Sequence, residues 1–152
     1  MKTYLDSSFD KKYLNVSLIL QACQIGKKMV PIKIKINKEA GDLSLEYGSG
    51  ESYILSGEYL RIYSPSAEVK GHGKGQEVLQ YGKKCVRILT VEPVGNYALK
   101  FIFSDTHDSG IYTWDYLYDL AANHSSYWGE YLKLLANAGE CREPNARIVK
   151  FT

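Results

Sequence analysis

The chain has 152 residues, of which 45% are hydrophobic and 24% charged, and its formal net charge is +2. That size holds one respectable core and not two, and the balance argues against wholesale disorder. The near-neutral charge argues against a dedicated nucleic-acid binder, which needs a strongly basic face.

Residues 1–28 precede any clear folding pattern, and two accounts of them are open. Lys11 and Lys12 ahead of Tyr13–Leu20, followed by Leu20-Gln21-Ala22-Cys23, vaguely resemble a lipoprotein signal. Asp6 and Asp10 sit where such a signal is basic, and Val16 to Leu20 is far too short to span a bilayer. In the other account Met29 is the natural start, and the onset of the domain pattern at about Pro31 favours it.

Ile32-Lys33-Ile34-Lys35-Ile36 alternates apolar and basic residues, the period-2 pattern of a half-buried strand with its lysines outward. Ala40-Gly41-Asp42 is a turn and Leu43 to Tyr47 alternates again, giving a hairpin. Gly48-Ser49-Gly50 turns the chain into Tyr53-Ile54-Leu55. Ser56 is a good N-cap for a short helix that ends near Tyr63. Residues 64–77, with Ser64-Pro65-Ser66 and Gly71-His72-Gly73-Lys74-Gly75, then read as a long exposed loop. Cys85 to Val91 and Tyr97 to Phe103 are the strongest strand patterns, joined by Pro93-Val94-Gly95-Asn96 as a tight turn. After a turn at Asp105 to Gly110, Trp114, Leu117, Tyr118 and Ala121 mark one face of a helix capped by Thr113. A last helix starts at Ser125 or Ser126, turns Tyr127, Tyr131, Leu134 and Leu135 inward, and stops near Gly139. Helices after a run of hairpins indicate an α+β fold: a small, mostly antiparallel sheet, a short helix after the third strand, and two C-terminal helices. The expected organisation is an extension at 1–30, one domain at 31–145 and a tail at 146–152.

The aromatic content is unusual, with 13 Tyr against 4 Phe. Tyrosine buries an apolar body while its tip needs a polar partner, so a thin core with amphipathic faces is expected. Cysteines stand at 23, 85 and 141 with no CxxC, which supports neither a disulfide framework nor a zinc finger and fits a reducing, cytoplasmic setting. Cys85, in an apolar run, is expected to be buried.

Four segments in order carry a family resemblance. They are Leu60-Arg61-Ile62-Tyr63-Ser64-Pro65-Ser66-Ala67-Glu68-Val69, then Gly71-His72-Gly73, then Glu92 to Ala98, then Asp105 to Tyr118. The chain resembles the DUF971 family, the gamma-butyrobetaine hydroxylase-like N-terminal domain, as a stand-alone bacterial member. The resemblance spans about residues 31 to 145. It implies a domain that occurs alone, or fused ahead of carnitine-pathway oxygenases, or attached to iron–sulfur-carrier ATPases. It also implies a zinc site of three cysteines and one histidine in the hydroxylases. Those positions fall here on Ser64, Ser66, Val69 and His107, so three of the four ligands are absent and the inherited zinc site is expected to be lost.

The remaining candidates are weighed on their chemistry. His107 between Asp105 and Asp108 offers a weak carboxylate–histidine set for zinc or iron, with His72 as a further ligand if the long loop folds over it. Against it stands a turn held by its own aspartates. Arg61 presents a rigid fork for a carboxylate or phosphate, with Ser64, Ser66, Glu68 and His72 completing a candidate binding patch. The competing reading pairs Arg61 with Glu68 as a structural bridge. The 71–75 glycines lack the GK[ST] and helix start of a phosphate loop and read as surface. Tyr112, Trp114, Tyr116 and Tyr118 invite an aromatic-cage reading, yet their helix face favours core packing.

No nucleophile elbow is present, and three histidines with no barrel pattern do not make an iron oxygenase. The expectation is therefore a non-catalytic accessory module, with no cofactor, that binds a protein partner and pairs as a homodimer, without nucleic acid or membrane. The alternative is a metal-binding or iron–sulfur-related accessory protein using His107.

Overall fold

The computed structural model describes residues 29–73 and 75–144. The expectations for residues 1–28 and for the 146–152 tail lie outside these.

Strands β1 (Lys33–Asn37), β2 (Asp42–Glu46) and β3 (Ser52–Leu55) form an antiparallel sheet in that order. Its register places Ile34 opposite Leu45 and Ile36 opposite Leu43, with Leu43 in turn opposite Leu55. Leu43, Leu45 and Leu55 therefore share the buried face, while Lys33 and Lys35 stay exposed as the alternation requires. The first turn depends on Gly41, whose φ is +77°. A Cβ there would also stand 2.4 Å from the Arg87 Cβ, so backbone conformation and close approach both demand glycine.

Helix α1 (Gly57–Ile62) follows at once, started by Ser56, whose Oγ accepts from the Tyr59 amide at 3.1 Å. A one-turn helix α2 (Ala67–Lys70) stands where the loop was expected, so the loop proper is shorter. Its N-terminal side is also not exposed: Ser64, Ser66 and Val69 are buried.

The second sheet has the order β4 (Ile88–Val94), β5 (Ala98–Phe103), β6 (Ile111–Thr113), again antiparallel. β4 begins at Ile88 and not at Cys85, and Cys85 is exposed. The apolar run there is explained by Val86 and Ile88, the residues that do pack on the core. Pro93 and Val94 continue the strand and the turn falls on residues 95–97, with Gly95 at φ +54°. β4 is an edge strand, which is where a proline without an amide donor is tolerated.

Helices α3 (Trp114–Ala122) and α4 (His124–Ala138) close the fold, joined through Asn123 alone. Thr113 caps α3 by accepting from the Tyr116 amide at 3.3 Å, and Gly139 ends α4 in the left-handed conformation. Tyr131 and Leu135 of α4 face the core as expected, but Leu134 is 49% exposed. One apolar cluster joins both sheets to α1, α3 and α4, running from Leu43 through Tyr59, Ile88 and Phe101 to Leu117 and Tyr131. The architecture is α+β, with two antiparallel sheets where a single one was expected. No helix among the described residues is long and apolar enough to cross a membrane.

Candidate functional site

The tyrosines explain how the segment after α1 is held. The last carbonyls of a helix lack partners within it. Tyr112 donates its hydroxyl to the Leu60 carbonyl at 2.6 Å, and Tyr116 donates to the Tyr63 carbonyl at 2.8 Å. Tyr63 in turn donates to the Tyr127 carbonyl at 2.7 Å. These tips fasten the C-terminal end of α1 to α3, α4 and β6, and so position the residues around Ser64.

Arg61 lies in the last turn of α1 and is buried. Its Nε donates to Asp105 Oδ2 at 2.9 Å and its Nη1 to Gln80 Oε1 at 3.2 Å. Lys83 donates to the same Asp105 oxygen at 2.7 Å. Burial works to raise the Asp105 pKa, but the Lys83 hydrogen bond and the two cations outweigh it and hold the carboxyl below its ordinary value of 3.8. Asp105 opens a tight turn in which Thr106 has φ +68°, the one non-glycine at positive φ among the described residues. The turn is closed by the Phe103 amide donating to the His107 carbonyl at 3.0 Å. A β-branched residue is strained in that conformation, so the surrounding bonds hold it there.

His107 is buried with both ring nitrogens engaged. Nε2 lies 2.8 Å from Ser64 Oγ, and Nδ1 lies 3.1 Å from Glu68 Oε2. A carboxylate only accepts, so Nδ1 carries the proton, and the neutral ring accepts the Ser64 hydroxyl at Nε2. Burial first, and the Arg61 charge second, push the His107 pKa below 6.5 against the opposing pull of Glu68 and Asp105. The order serine, histidine, carboxylate matches a hydrolase relay. Access does not: Ser64 is 0% exposed, and a Cβ on Gly110 would come within 2.3 Å of its Oγ. The relay is a clamp between the 64–68 segment and the 105–110 turn.

The sequence candidates are thus sorted by depth. Arg61, Ser64, Ser66 and His107 are buried, Asp105 is half-buried, and Glu68, His72 and Asp108 are exposed. The alternative bridge between Arg61 and Glu68 is not made, since Arg61 turns to Asp105 and Glu68 to His107. The zinc-ligand positions carried over from the family do gather in part, with Ser64 on His107 and Ser66 and Val69 buried in the same segment. Ser66 Oγ finds no partner among the described residues. Two hydroxyls, a valine and one imidazole do not match the ligand set of a structural zinc. No group of three His, Cys, Asp or Glu positioned for a metal ion stands among the described residues.

Of the aromatic run, Tyr112 and Trp114 are buried, and the Trp114 indole donates to the Asn96 carbonyl at 2.8 Å. Tyr118 packs edge-to-face on Tyr47 at 5.2 Å and on Tyr53 at 6.3 Å. These rings build the core and its rim, as helical spacing predicts for Trp114 and Tyr118; Tyr112 reaches the core from β6.

Two open cavities stand apart from the buried clamp residues. One, about 650 Å3, is lined by Lys84, Arg87, Arg142, Glu58, His124 and Trp128 among others. Its charges are largely paired: Arg142 donates twice to Glu58, at 2.8 and 2.6 Å, and stacks 4.8 Å from the Trp128 ring. The other, about 310 Å3, runs between α1, α2 and α4 and is walled by Ile62, Val69, Val78, Leu79, Tyr131 and Leu134. Sequence reasoning missed this groove, Gln80 and Lys83, because segment 78–83 has no periodicity to place it. The one available signal was Leu134, assigned inward by helical spacing although it stands on the groove wall.

The family model for "Gamma-butyrobetaine hydroxylase-like, N-terminal" matches residues 34–118. An NMR solution structure 49% identical covers 83% of this chain and 99% of its own, with a TM-score of 0.71. A second NMR structure is 42% identical, covers 84% and 96% respectively, and has a TM-score of 0.66. A crystal structure from Acidithiobacillus ferrooxidans, described as a protein with unknown function of the DUF971 family, is 31% identical; it covers 59% of this chain and 90% of its own, with a TM-score of 0.45. No curated protein matches.

Proposed function

The chain belongs to the gamma-butyrobetaine hydroxylase-like N-terminal domain family, also called DUF971, and from that premise we propose that it is a non-catalytic accessory module that works by binding a protein partner. The apolar groove between α1, α2 and α4 carries this reading. Catalysis needs polar groups aimed into a space a substrate can enter. Here the charged and titratable groups of the candidate site are spent on one another, in the Arg61–Asp105–Lys83 and Ser64–His107–Glu68 sets, while the Ser66 and Tyr131 hydroxyls are buried without a partner among the described residues. The open space beside them is instead walled by aliphatic and aromatic side chains, with Val78 and Leu134 about half exposed at 52% and 49%. Apolar side chains left exposed together in a groove mark a contact for another molecule.

Affinity capture from cells at native expression tests the reading, with the wild-type chain beside Leu134→Asp. The expected result is a stoichiometric partner held by the wild type and reduced roughly tenfold or more by the variant. Recovery of no partner, or equal recovery by both, would overturn it. A setting in the reducing cytoplasm and a homodimer remain part of the proposal. Sedimentation of the purified chain tests the dimer.

A metal-centred reading on His107 draws less support. Both ring nitrogens already have protein partners, and Asp105 is held by two cations.

A further inference from the structure

We propose that Glu51, in the turn between β2 and β3, is with Tyr47, Tyr53 and Tyr118 a recognition site for an alkylammonium group, the tip of a lysine side chain or of a free amine. The site is separate from the apolar groove, whose lining includes none of these residues, and it stands or falls independently of the partner-binding reading.

The turn is held by its own backbone. The Tyr47 amide donates to the Glu51 carbonyl at 2.9 Å and the Gly50 amide to the Tyr47 carbonyl at 3.0 Å. Gly50 sits at φ +91°, and a Cβ built on it meets no atom within 4 Å, so the chain beside Glu51 is open on that side. Three hydroxyls converge on the carboxylate from outside the plane of the turn and from within it. Ser49 donates to Oε2 at 2.8 Å, Tyr53 to Oε1 at 3.1 Å, and Tyr118 of α3 reaches both oxygens at 3.4 and 3.3 Å. These donors are neutral and leave the charge in place. No Lys, Arg or His nitrogen pairs with Glu51 among the described residues, whereas Glu58 and Asp105 each have a cation. A half-buried carboxylate without a counter-charge is costly, and a cation supplied from outside relieves that cost.

Tyr47 is the second observation. It is 3% exposed, and its hydroxyl has no partner among the described residues. Its ring stands 6.0 Å from Tyr53 and 5.2 Å from Tyr118, the two rings whose tips hold Glu51, and those two are 6.3 Å apart. Burial first, then the neighbouring tyrosines and the Glu51 charge, push the Tyr47 pKa up to about 12, so the unspent hydroxyl lies within the field of the carboxylate. An ammonium group carries three donors and no acceptor. Glu51 offers it the charge, and the serine and tyrosine oxygens keep lone pairs after donating. The tyrosine rings add the attraction of a π-system for a cation and an apolar surface for the alkyl stem behind it. A divalent metal fits less well, since one carboxylate among hydroxyls supplies a single negative charge.

The test is an amide NMR titration of the full chain with n-butylammonium chloride, beside potassium chloride at the same ionic strength. Wild type is compared with Glu51→Gln and with Tyr53→Phe, and far-UV circular dichroism checks that each variant is folded. The expected result is saturable shifts at residues 47–53 and around Tyr118 with butylammonium and none with potassium. Glu51→Gln should weaken the binding roughly tenfold or more, and Tyr53→Phe, which keeps the ring and the charge, should weaken it less. Shifts that do not saturate, that potassium reproduces, or that persist unweakened in Glu51→Gln would overturn the proposal. The wild-type comparison of the two salts decides the case by itself if Glu51→Gln does not fold. Nα-acetyl-lysine methylamide, titrated in parallel, separates the sources: tighter binding than butylammonium assigns the site to a lysine of another protein, and equal or weaker binding assigns it to a free amine.

Discussion

At the scale of single residues, His107 is under the most constraint. It bridges two segments that no other side chain of the clamp links, and it does so from a buried position where each lost bond leaves a group without water. Replacing it with alanine leaves the Ser64 hydroxyl unpaired and opens a cavity beside Phe103, whose ring packs 5.9 Å away. The expected loss is roughly 2–3 kcal/mol, read as a lower urea midpoint at unchanged slope. The pH dependence follows from the sign of the shift. The folded His107 pKa lies below 6.5, so on acidification the unfolded chain takes up its proton first. Stability should therefore begin to fall as pH drops below 6.5, and His107→Ala should lessen that step, with His124, pushed the same way by burial, carrying the rest. Asp105 is shifted down as well, so its contribution is full above 3.8 and is lost as pH falls through its lower folded value. Urea midpoints across pH 7.5 to 3 should show two separate declines, and Asp105→Asn should lessen only the lower one, in which Glu143, held below its ordinary value by the Lys84 hydrogen bond, also titrates.

At the scale of elements, short segments survive here because their ends are satisfied. Helix α1 spans only Gly57–Ile62, below the length at which an isolated helix holds. It persists because Ser56 caps one end while tyrosine hydroxyls from distant elements take up carbonyls at the other. Tyr112→Phe, which keeps the ring and removes the tip, should cost about 1–3 kcal/mol by stranding the Leu60 carbonyl. Thr113→Ala removes the cap of α3 at an exposed position and should cost about 1 kcal/mol. Thermal denaturation of both variants beside the wild type gives the order. A Thr113→Ala loss equal to or above that of Tyr112→Phe would contradict the account.

At the scale of the molecule, the two sheets are separate in their hydrogen bonding yet share one apolar cluster. Neither sheet of three strands buries its face without the helices and the other sheet. Unfolding should then be a single cooperative transition, with circular dichroism and tryptophan fluorescence coinciding. Distinct midpoints for the two probes would show the sheets melting independently. The half-exposed Leu134 makes a contrasting case: Leu134→Asp should leave the midpoint nearly unchanged while reducing partner capture, because the residue contributes surface and not core.

What the amino-acid sequence determined by itself was whatever is local. The alternation of Ile34, Ile36, Leu43 and Leu45, the caps at Ser56 and Thr113, the stop at Gly139 and the α+β class all follow from spacing and side-chain chemistry within a few residues. The family was legible for the same reason, since its motifs are contiguous. Tertiary structure alone decided the partners. Arg61 meets Asp105 and Ser64 meets His107 across 44 and 43 residues, and nothing local distinguishes those pairings from the Arg61–Glu68 bridge seven residues apart. It also decided depth: helical spacing sends Leu134 and Leu135 both inward, but neighbouring residues on a helix point about 100° apart. Only the packing of the fold puts Leu135 in the core and leaves Leu134 on the wall of the groove, beside Ile62 and Tyr131.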